Sequence, residues 1–378
     1  MPTQYTGVSA NQINNPVVVF NQPLDGDPAI AASVDTATGT LADATAAVYE
    51  LLAAVYCASF DYLALGATAV FNCFASISPA PGGVAGSHAV VAAGGSGQLW
   101  CMTGLNTEDI VRPGAWLART SNIAGNIFAA TSNNSNLFVV AGAAGALSTS
   151  PDGVTWTART SQFLAGETIN AAIWTGTQFV IVGGFTSGRI ATSPDGITWT
   201  LRANPNATSA FVSIAIAPSG GLLVASGGSA NGNVYTSPDG ITWTARPVGG
   251  GIIDSMLLST HPNASLLVLA GSTLTPSVWT SPDGITWTQR PLAVGSQPRF
   301  ALTHNGRFFY GLGGNSGFEC ATSADGITWT RRFRPSRTGV SVNVSSSGSI
   351  NSAFNLLGSI LVGDSLNNGR IWYAPRLY

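Results

Sequence analysis

One nine-residue phrase constrains this chain more than anything else in it. "TSPDGITWT" stands at Thr192–Thr200, Thr236–Thr244 and Thr280–Thr288, "TSPDGVTWT" at Thr149–Thr157, and "TSADGITWT" at Thr322–Thr330. The tryptophans of the five copies, Trp156, Trp199, Trp243, Trp287 and Trp329, are separated by 43, 44, 44 and 42 residues. A sixth copy lies 40 residues upstream at Trp116, where the Ser-Pro-Asp-Gly part is lost but "AWLART" parallels "TWTART". All six keep an arginine three places after the tryptophan: Arg119, Arg159, Arg202, Arg246, Arg290 and Arg332. A period in the low forties is the length of one four-stranded propeller blade. Helical repeats of similar length are excluded by the Gly, Thr and Val content and by the lack of a 3.6-residue apolar rhythm.

One unit divides naturally into four strands. "TINAAIW" (Thr168–Trp174) is followed by a "TGTQ" turn, then by the continuous apolar run "FVIVGG" (Phe179–Gly184), which suits a strand buried on both faces. "GRIATS" (Gly188–Ser193) is the third strand and "ITWTLR" (Ile197–Arg202) the fourth. Ser-Pro-Asp-Gly between the last two suits a type I turn whose glycine takes the left-handed conformation. The carboxylates of Asp152, Asp195, Asp239, Asp283 and Asp325 are then placed to accept backbone N–H groups just beyond each turn. The tryptophans are expected to fill the space between blades. On this reading the repetition is architectural.

The expected fold is therefore all-β: a seven-bladed propeller over residues 63–378, with six blades as the alternative count. Six units end in the Trp-x-x-Arg strand, and a seventh, "INSAFNLLGSILVGDSLNNGRIWYAPRLY", supplies three strands before Tyr378. Its fourth strand is expected from the other terminus, with Ala67–Ile77 ("ATAVFNCFASI") as the donor, so that no open sheet edge remains. Residues 1–62 lack the repeat and predict a helical anchor or oligomerisation segment. Asp27 and Pro28 have N-cap and first-turn character, and Thr40 and Asp43 stand in capping-box spacing ahead of Leu41, Ala44, Val48, Leu51 and Val55. That segment reads either as a helix packed on the propeller or as one that docks onto other subunits.

Charge excludes several functions. Only 8% of the residues are charged, all fifteen bases are arginine, and the net charge is −2, leaving no basic run for DNA or RNA. "MPTQYTGVSANQINN" has neither the basic nor the apolar part of a secretory signal, and no run of about eighteen apolar residues predicts a membrane span. Cys57, Cys73, Cys101 and Cys320 show no metal-type spacing and read as small buried hydrophobes. His88, His261 and His304 are widely separated, and the Gly-rich stretches lead into no helix that could cradle phosphate. Asp109, Asp254 and Asp364 fall outside the repeated turns, and Asp254 and Asp364 could line the ring. No cofactor, metal or catalytic residue is predicted.

The "S-P-D-G-I-T-W" elements resemble the Asp-box, or BNR, repeat of sialidases and many other β-propellers, in a variant one residue shorter between Asp and Trp. The resemblance covers roughly residues 80–378. It implies a propeller whose Asp boxes lie on the blade periphery, away from a catalytic mouth. Sialidase chemistry needs an arginine triad, a Tyr–Glu nucleophile pair and an Asp acid/base. The family's Phe-Arg-Ile-Pro motif is missing, "RRFRPSR" around Phe333–Pro335 being the nearest string. The only glutamates are Glu50, Glu108, Glu167 and Glu319. The expectation is thus a non-enzyme, an exo-sialidase-like glycoside hydrolase being the alternative, and the periodic arginines are expected to pack over tryptophan or meet a peripheral carboxylate.

"INNPVVVFNQPLDGDPAIAASVDTATGTLADATAAV" looks like the attachment regions of bacteriophage tail-fibre and baseplate proteins. This resemblance implies a structural virion protein, assembled in the host cytoplasm. Its N-terminal segment would meet other tail proteins, as a homo-oligomer in the assembly, and its propeller would serve as a structural or receptor-contacting module, possible receptors being a host surface glycan or protein. A glycan-binding propeller of bacterial origin and an intracellular interaction scaffold are the competing readings.

Overall fold

The computed structural model describes residues 61–64, 70–78, 88–104, 116–205, 208–218, 221–227, 232–248, 252–261, 264–272, 277–291, 300–304, 308–313, 319–332, 350–356, 359–364 and 370–374. The helices expected within residues 1–60 lie outside the described residues, as do Cys57, Glu50, Glu108 and Asp109.

Alternating and continuous apolar runs punctuated by Gly, Asn and Ser turns give strands throughout the described residues, gathered into seven antiparallel sheets of four. Sheet 3 is representative: its strands are Thr168–Trp174, Phe179–Gly184, Gly188–Ser193 and Thr200–Leu201, hydrogen-bonded in that order. Sheets 1 and 2 lie within residues 71–120 and 127–160, and sheets 4, 5 and 6 within 211–247, 252–291 and 300–332. The first strand of each sheet packs against the first strand of the next, and Ile350–Leu356 of sheet 7 returns to Phe71–Ile77 of sheet 1. The result is a circular, propeller-like array of twisted wedges.

The second strands are the most apolar, and those of sheets 1 to 4 are buried along their whole length. No single core unites the molecule. Among the described residues, hydrophobic clusters instead fill the gaps between successive sheets from 1 to 5: one joins Cys73, Ala75 and Val91 of sheet 1 to Ile127, Phe138 and Val140 of sheet 2, and another joins Val139 and Leu147 of sheet 2 to Ile169, Phe179 and Ile181 of sheet 3. Polar staples accompany this packing. Asn72 Nδ2 donates to the Ile127 carbonyl at 2.9 Å, and Asn170 Nδ2 donates to the Phe211 carbonyl at 2.7 Å, each reaching the first strand of the following sheet. Both asparagines sit where the register slips between the first and second strands, so the β-bulge turns a side chain sideways that would otherwise lie in the ladder.

The array closes differently from the expectation. The fourth strand of sheet 7 is Asp61–Ala64, paired Asp61↔Tyr373 through Ala64↔Arg370. Phe71–Ile77, within the run expected to close the ring, is the first strand of sheet 1. Its burial on both faces suits an inner position, whereas fourth strands of two to four residues suffice at the outer edge. The closing strand begins two residues before the expected boundary at 62/63. The fourth strand of sheet 3 is also shorter than read from the sequence: Ile197 and Thr198 belong to the turn, because their N–H groups bond the Asp195 carboxylate instead of the sheet.

Candidate functional site

Two features could carry function: the repeated turns and a groove where three first strands end. In each turn one serine hydroxyl and one carboxylate organise the hairpin. Ser150 Oγ accepts the Gly153 N–H at 2.8 Å and donates to Asp152 Oδ1 at 3.0 Å. Asp152 Oδ1 also accepts the N–H groups of Val154 and Thr155 at 2.8 and 3.0 Å. Asp195, Asp239, Asp283 and Asp325 repeat this pattern with Ile197 and Thr198, Ile241 and Thr242, Ile285 and Thr286, and Ile327 and Thr328.

These bonds set the acidity of the carboxyls. The N–H groups of Thr198 and Ile197 hold Asp195 below the usual carboxylate range, those of Thr242 and Ile241 do the same for Asp239, and Thr286 leads for Asp283. Burial works to raise Asp152 and Asp325, but the turn N–H groups and the serine hydroxyl outweigh it, and both also end low. A carboxylate so occupied is an N–H acceptor, held ionised.

The turn glycines have positive φ, from 71° at Gly196 to 77° at Gly153 and Gly284. They also press on the preceding sheet: a Cβ on Gly153 would stand 2.7 Å from Cys101 Sγ and 3.4 Å from Val91 Cγ1 of sheet 1. Trp156, Trp199, Trp243 and Trp329 each donate Nε1 to the carbonyl of their own turn glycine at 3.0–3.1 Å. Trp156 and Trp199 belong to the clusters between sheets, Trp243 and Trp287 flank the next two clusters, and Trp116 is buried. Gly and Trp together wedge each hairpin against its neighbour.

The periodic arginines have a partner the sequence reading missed. Nε of Arg159, Arg202, Arg246 and Arg290 donates to Thr149, Thr192, Thr236 and Thr280 Oγ1, the threonine that opens each phrase. In sheet 1 the register puts Cys101 where the others have this threonine, and Arg119 Nε is buried without an acceptor. Cys101 and Cys73 are free and buried; burial pushes the Cys101 thiol up to about 11 and Cys73 higher still. The spacing of ten from Arg back to Thr is visible in the five copies that keep the full phrase and is the signal that finds the pair.

Other sequence candidates do not assemble into a catalytic constellation among the described residues. Glu167 is ion-paired with Arg189 at 2.5 Å and accepts the Leu164 N–H at 2.8 Å. His88 is buried, which lowers its pKa. Asp254 lies at the register slip of sheet 5, and Asp364 faces Ile350 in sheet 7. His261, His304 and Glu319 lie on strands of sheets 5, 6 and 6. Among the described residues no three His, Cys, Asp or Glu come together to hold a metal, and no helix is long and apolar enough to cross a membrane.

The groove, about 190 Å³, opens where the first strands of sheets 1, 2 and 3 end, between Phe74, Ser76, Thr131, Ser132, Asn134 and Trp174. Ser76, Ser132 and Trp174 hold the same register position, opposite Val90, Phe138 and Phe179; in sheet 4 the position is Ile216. Two small residues beside a large one leave the space. Ser132 Oγ donates to the Ser76 carbonyl at 2.5 Å, tying sheets 1 and 2, and Trp174 rests on Phe179 with ring centroids 4.5 Å apart. Among the described residues no lining residue is ionisable.

No family model matches the chain, and no curated protein does. Solved structures with the same fold include YCF48 bound to a D1 peptide, at TM-score 0.60 and 13% identity, covering 84% of this chain and 94% of that one. YCF48 from Cyanidioschyzon merolae gives 0.58 and 14%, covering 84% and 99%. The WD40 β-propeller domain of Doa1 gives 0.56 and 9%, covering 82% and 94%. At these identities the likeness shows the β-propeller fold.

Proposed function

We propose that this chain is a non-enzymatic virion protein of a bacteriophage tail, with a seven-bladed Asp-box propeller as a structural or receptor-contacting module. The observation that carries the non-enzymatic part is the state of the repeated turns. Their carboxylates, serines, tryptophans and arginines are occupied in holding hairpins against neighbouring sheets, which leaves the ring's faces and loops as the surface for contact. Seven four-stranded sheets and the cyclic order of their first strands support the blade count. The tail assignment draws its support from the resemblance of residues 13–48 to phage attachment regions. A propeller neighbour with a bound peptide, YCF48 with D1, adds support for contact with protein partners.

Mass spectrometry of purified particles tests the reading: the chain is expected at stoichiometric copy number in tails. Its absence from particles, with abundant free protein in the lysate, would overturn it. A second reading, glycan binding without virion assembly, is favoured by the uncharged groove beside Trp174. Turnover of a fluorogenic sialoside would refute the non-enzymatic assignment under either reading.

A further inference from the structure

The geometry points to the groove beside Trp174 as a binding site for the terminal residue of an uncharged glycan; the assignment rests on reading the propeller as a receptor-contacting module and names what it contacts. Three properties of the groove argue for this ligand. First, its wall offers a half-buried indole whose orientation is fixed by Phe179 at 4.5 Å, a flat apolar face of the kind that C–H-rich sugar rings stack on. Second, its polar groups are hydroxyls and an amide. Among the described residues Ser76 and Thr131 bring hydroxyls and Trp174 an indole N–H to the lining, and the exposed Asn134 amide lies beside them. Such groups match the mixed donor and acceptor character of sugar hydroxyls. Third, among the described residues no carboxylate, guanidinium or imidazole lines the space, so a sialic acid carboxylate would be desolvated there without a counter-charge from them.

Size narrows the ligand further. About 190 Å³ falls below the ~300–1,000 Å³ of pockets that enclose drug-sized ligands, so one ring is held and the remainder of the chain points to solvent. The site is built by sequence differences at one register position: Ser76 and Ser132 stand where sheet 4 has Ile216, and refilling that position would erase the groove.

The full chain should be titrated with methyl glycosides of neutral hexoses and N-acetylhexosamines, with the methyl glycoside of N-acetylneuraminic acid, and with a short leucine-containing peptide, read by saturation-transfer NMR. At least one neutral glycoside is expected to bind with a Kd of about 1 mM, the strength a ring of roughly a dozen heavy atoms reaches at modest ligand efficiency. Trp174→Ala should weaken it by about tenfold or more, Trp174→Phe should retain most of it, and Ser132→Leu should abolish it by filling the groove. Phe185→Ser, on a loop at the opposite end of sheet 3, should leave it unchanged. Absence of neutral-sugar binding, binding that survives Trp174→Ala and Ser132→Leu, or binding of the acidic sugar or the peptide alone would each overturn the assignment. Thr131→Val serves where a larger change prevents folding, and a native-affinity Thr131→Val would count against the hydroxyl's role. If no sugar binds yet the chain is found in purified particles, the groove assignment fails and the tail reading stands. Sugar binding by a chain missing from particles gives the converse.

Discussion

Gly153→Ala tests whether the repeated turns are wedges between sheets. Two costs combine at this position. The glycine has φ +77°, and an L-residue held in that left-handed region loses about 1–2 kcal/mol. Its Cβ would also stand 2.7 Å from Cys101 Sγ, 3.4 Å from Val91 Cγ1 and 3.5 Å from Phe138 Cε2. All three neighbours are buried, so none can swing into solvent, and overpacking of this kind costs about 1–3 kcal/mol. The expected destabilisation is therefore about 2–5 kcal/mol. Gly221→Ala separates the terms: its φ is +69° but nothing lies within 4 Å, so only the backbone part, about 1–2 kcal/mol, should appear. Gly166→Ala, without positive φ and with open space around it, should be neutral or stabilising by up to about 1 kcal/mol. Urea denaturation midpoints give the ranking. Hydrogen exchange should show the Gly153→Ala loss concentrated between sheets 1 and 2, since a ring of repeated sheets need not unfold in one step. A Gly153→Ala protein as stable as Gly221→Ala would refute the wedge.

Acid should weaken the fold through the five turn carboxylates. Each has a folded pKa below the ordinary 3.8, so its contribution is complete above that value and disappears as pH falls below it towards the folded value; thermal melts from pH 7 to pH 3 should show the decline below about pH 4. Asp239→Asn, which cannot ionise, should make that acid slope shallower by the share of one carboxylate among the five, and Asp239→Ala should cost about 0.5–2 kcal/mol by stripping the acceptor from two N–H groups; an unchanged slope in Asp239→Asn would contradict the assignment. Trp199→Ala should cost about 3–5 kcal/mol, because the ring is buried between sheets 2 and 3 and its N–H bonds the Gly196 carbonyl, a loss of under about 1 kcal/mol being the contrary result. Cys101→Thr should stabilise by about 1 kcal/mol by giving buried Arg119 Nε the acceptor its counterparts have, and a destabilised variant in denaturant titration would argue against that pairing.

Much of this architecture was legible because the turn phrase is local: Ser, Asp, Gly and Trp within seven residues contain every partner of the hairpin. The strands Thr168–Trp174, Phe179–Gly184 and Gly188–Ser193 could be read off with their ends, since apolar runs and turn residues mark them. Closure was misplaced because Asp61–Ala64 is too short to announce itself as a strand, and its pairing with Arg370–Ala374 is set by distant residues. The groove was invisible for a related reason. Ser76, Ser132 and Trp174 are unremarkable singly, and become a site only when the bulges at Asn72 and Asn170 set the register that aligns the ends of the strands. The Arg–Thr pairs lay in plain view, at a constant spacing of ten, but needed the antiparallel hairpin to bring them face to face.

The pairing of Asp61–Ala64 with Arg370–Ala374 makes ring closure wait until both strands have been made. While a ribosome makes the intervening residues, the early strand has no mate, and the growing wedges can stack only as an open arc. Deleting either Asp61–Ala64 or Arg370–Ala374 should then unlatch the whole circle, a greater effect than the few hydrogen bonds removed would suggest.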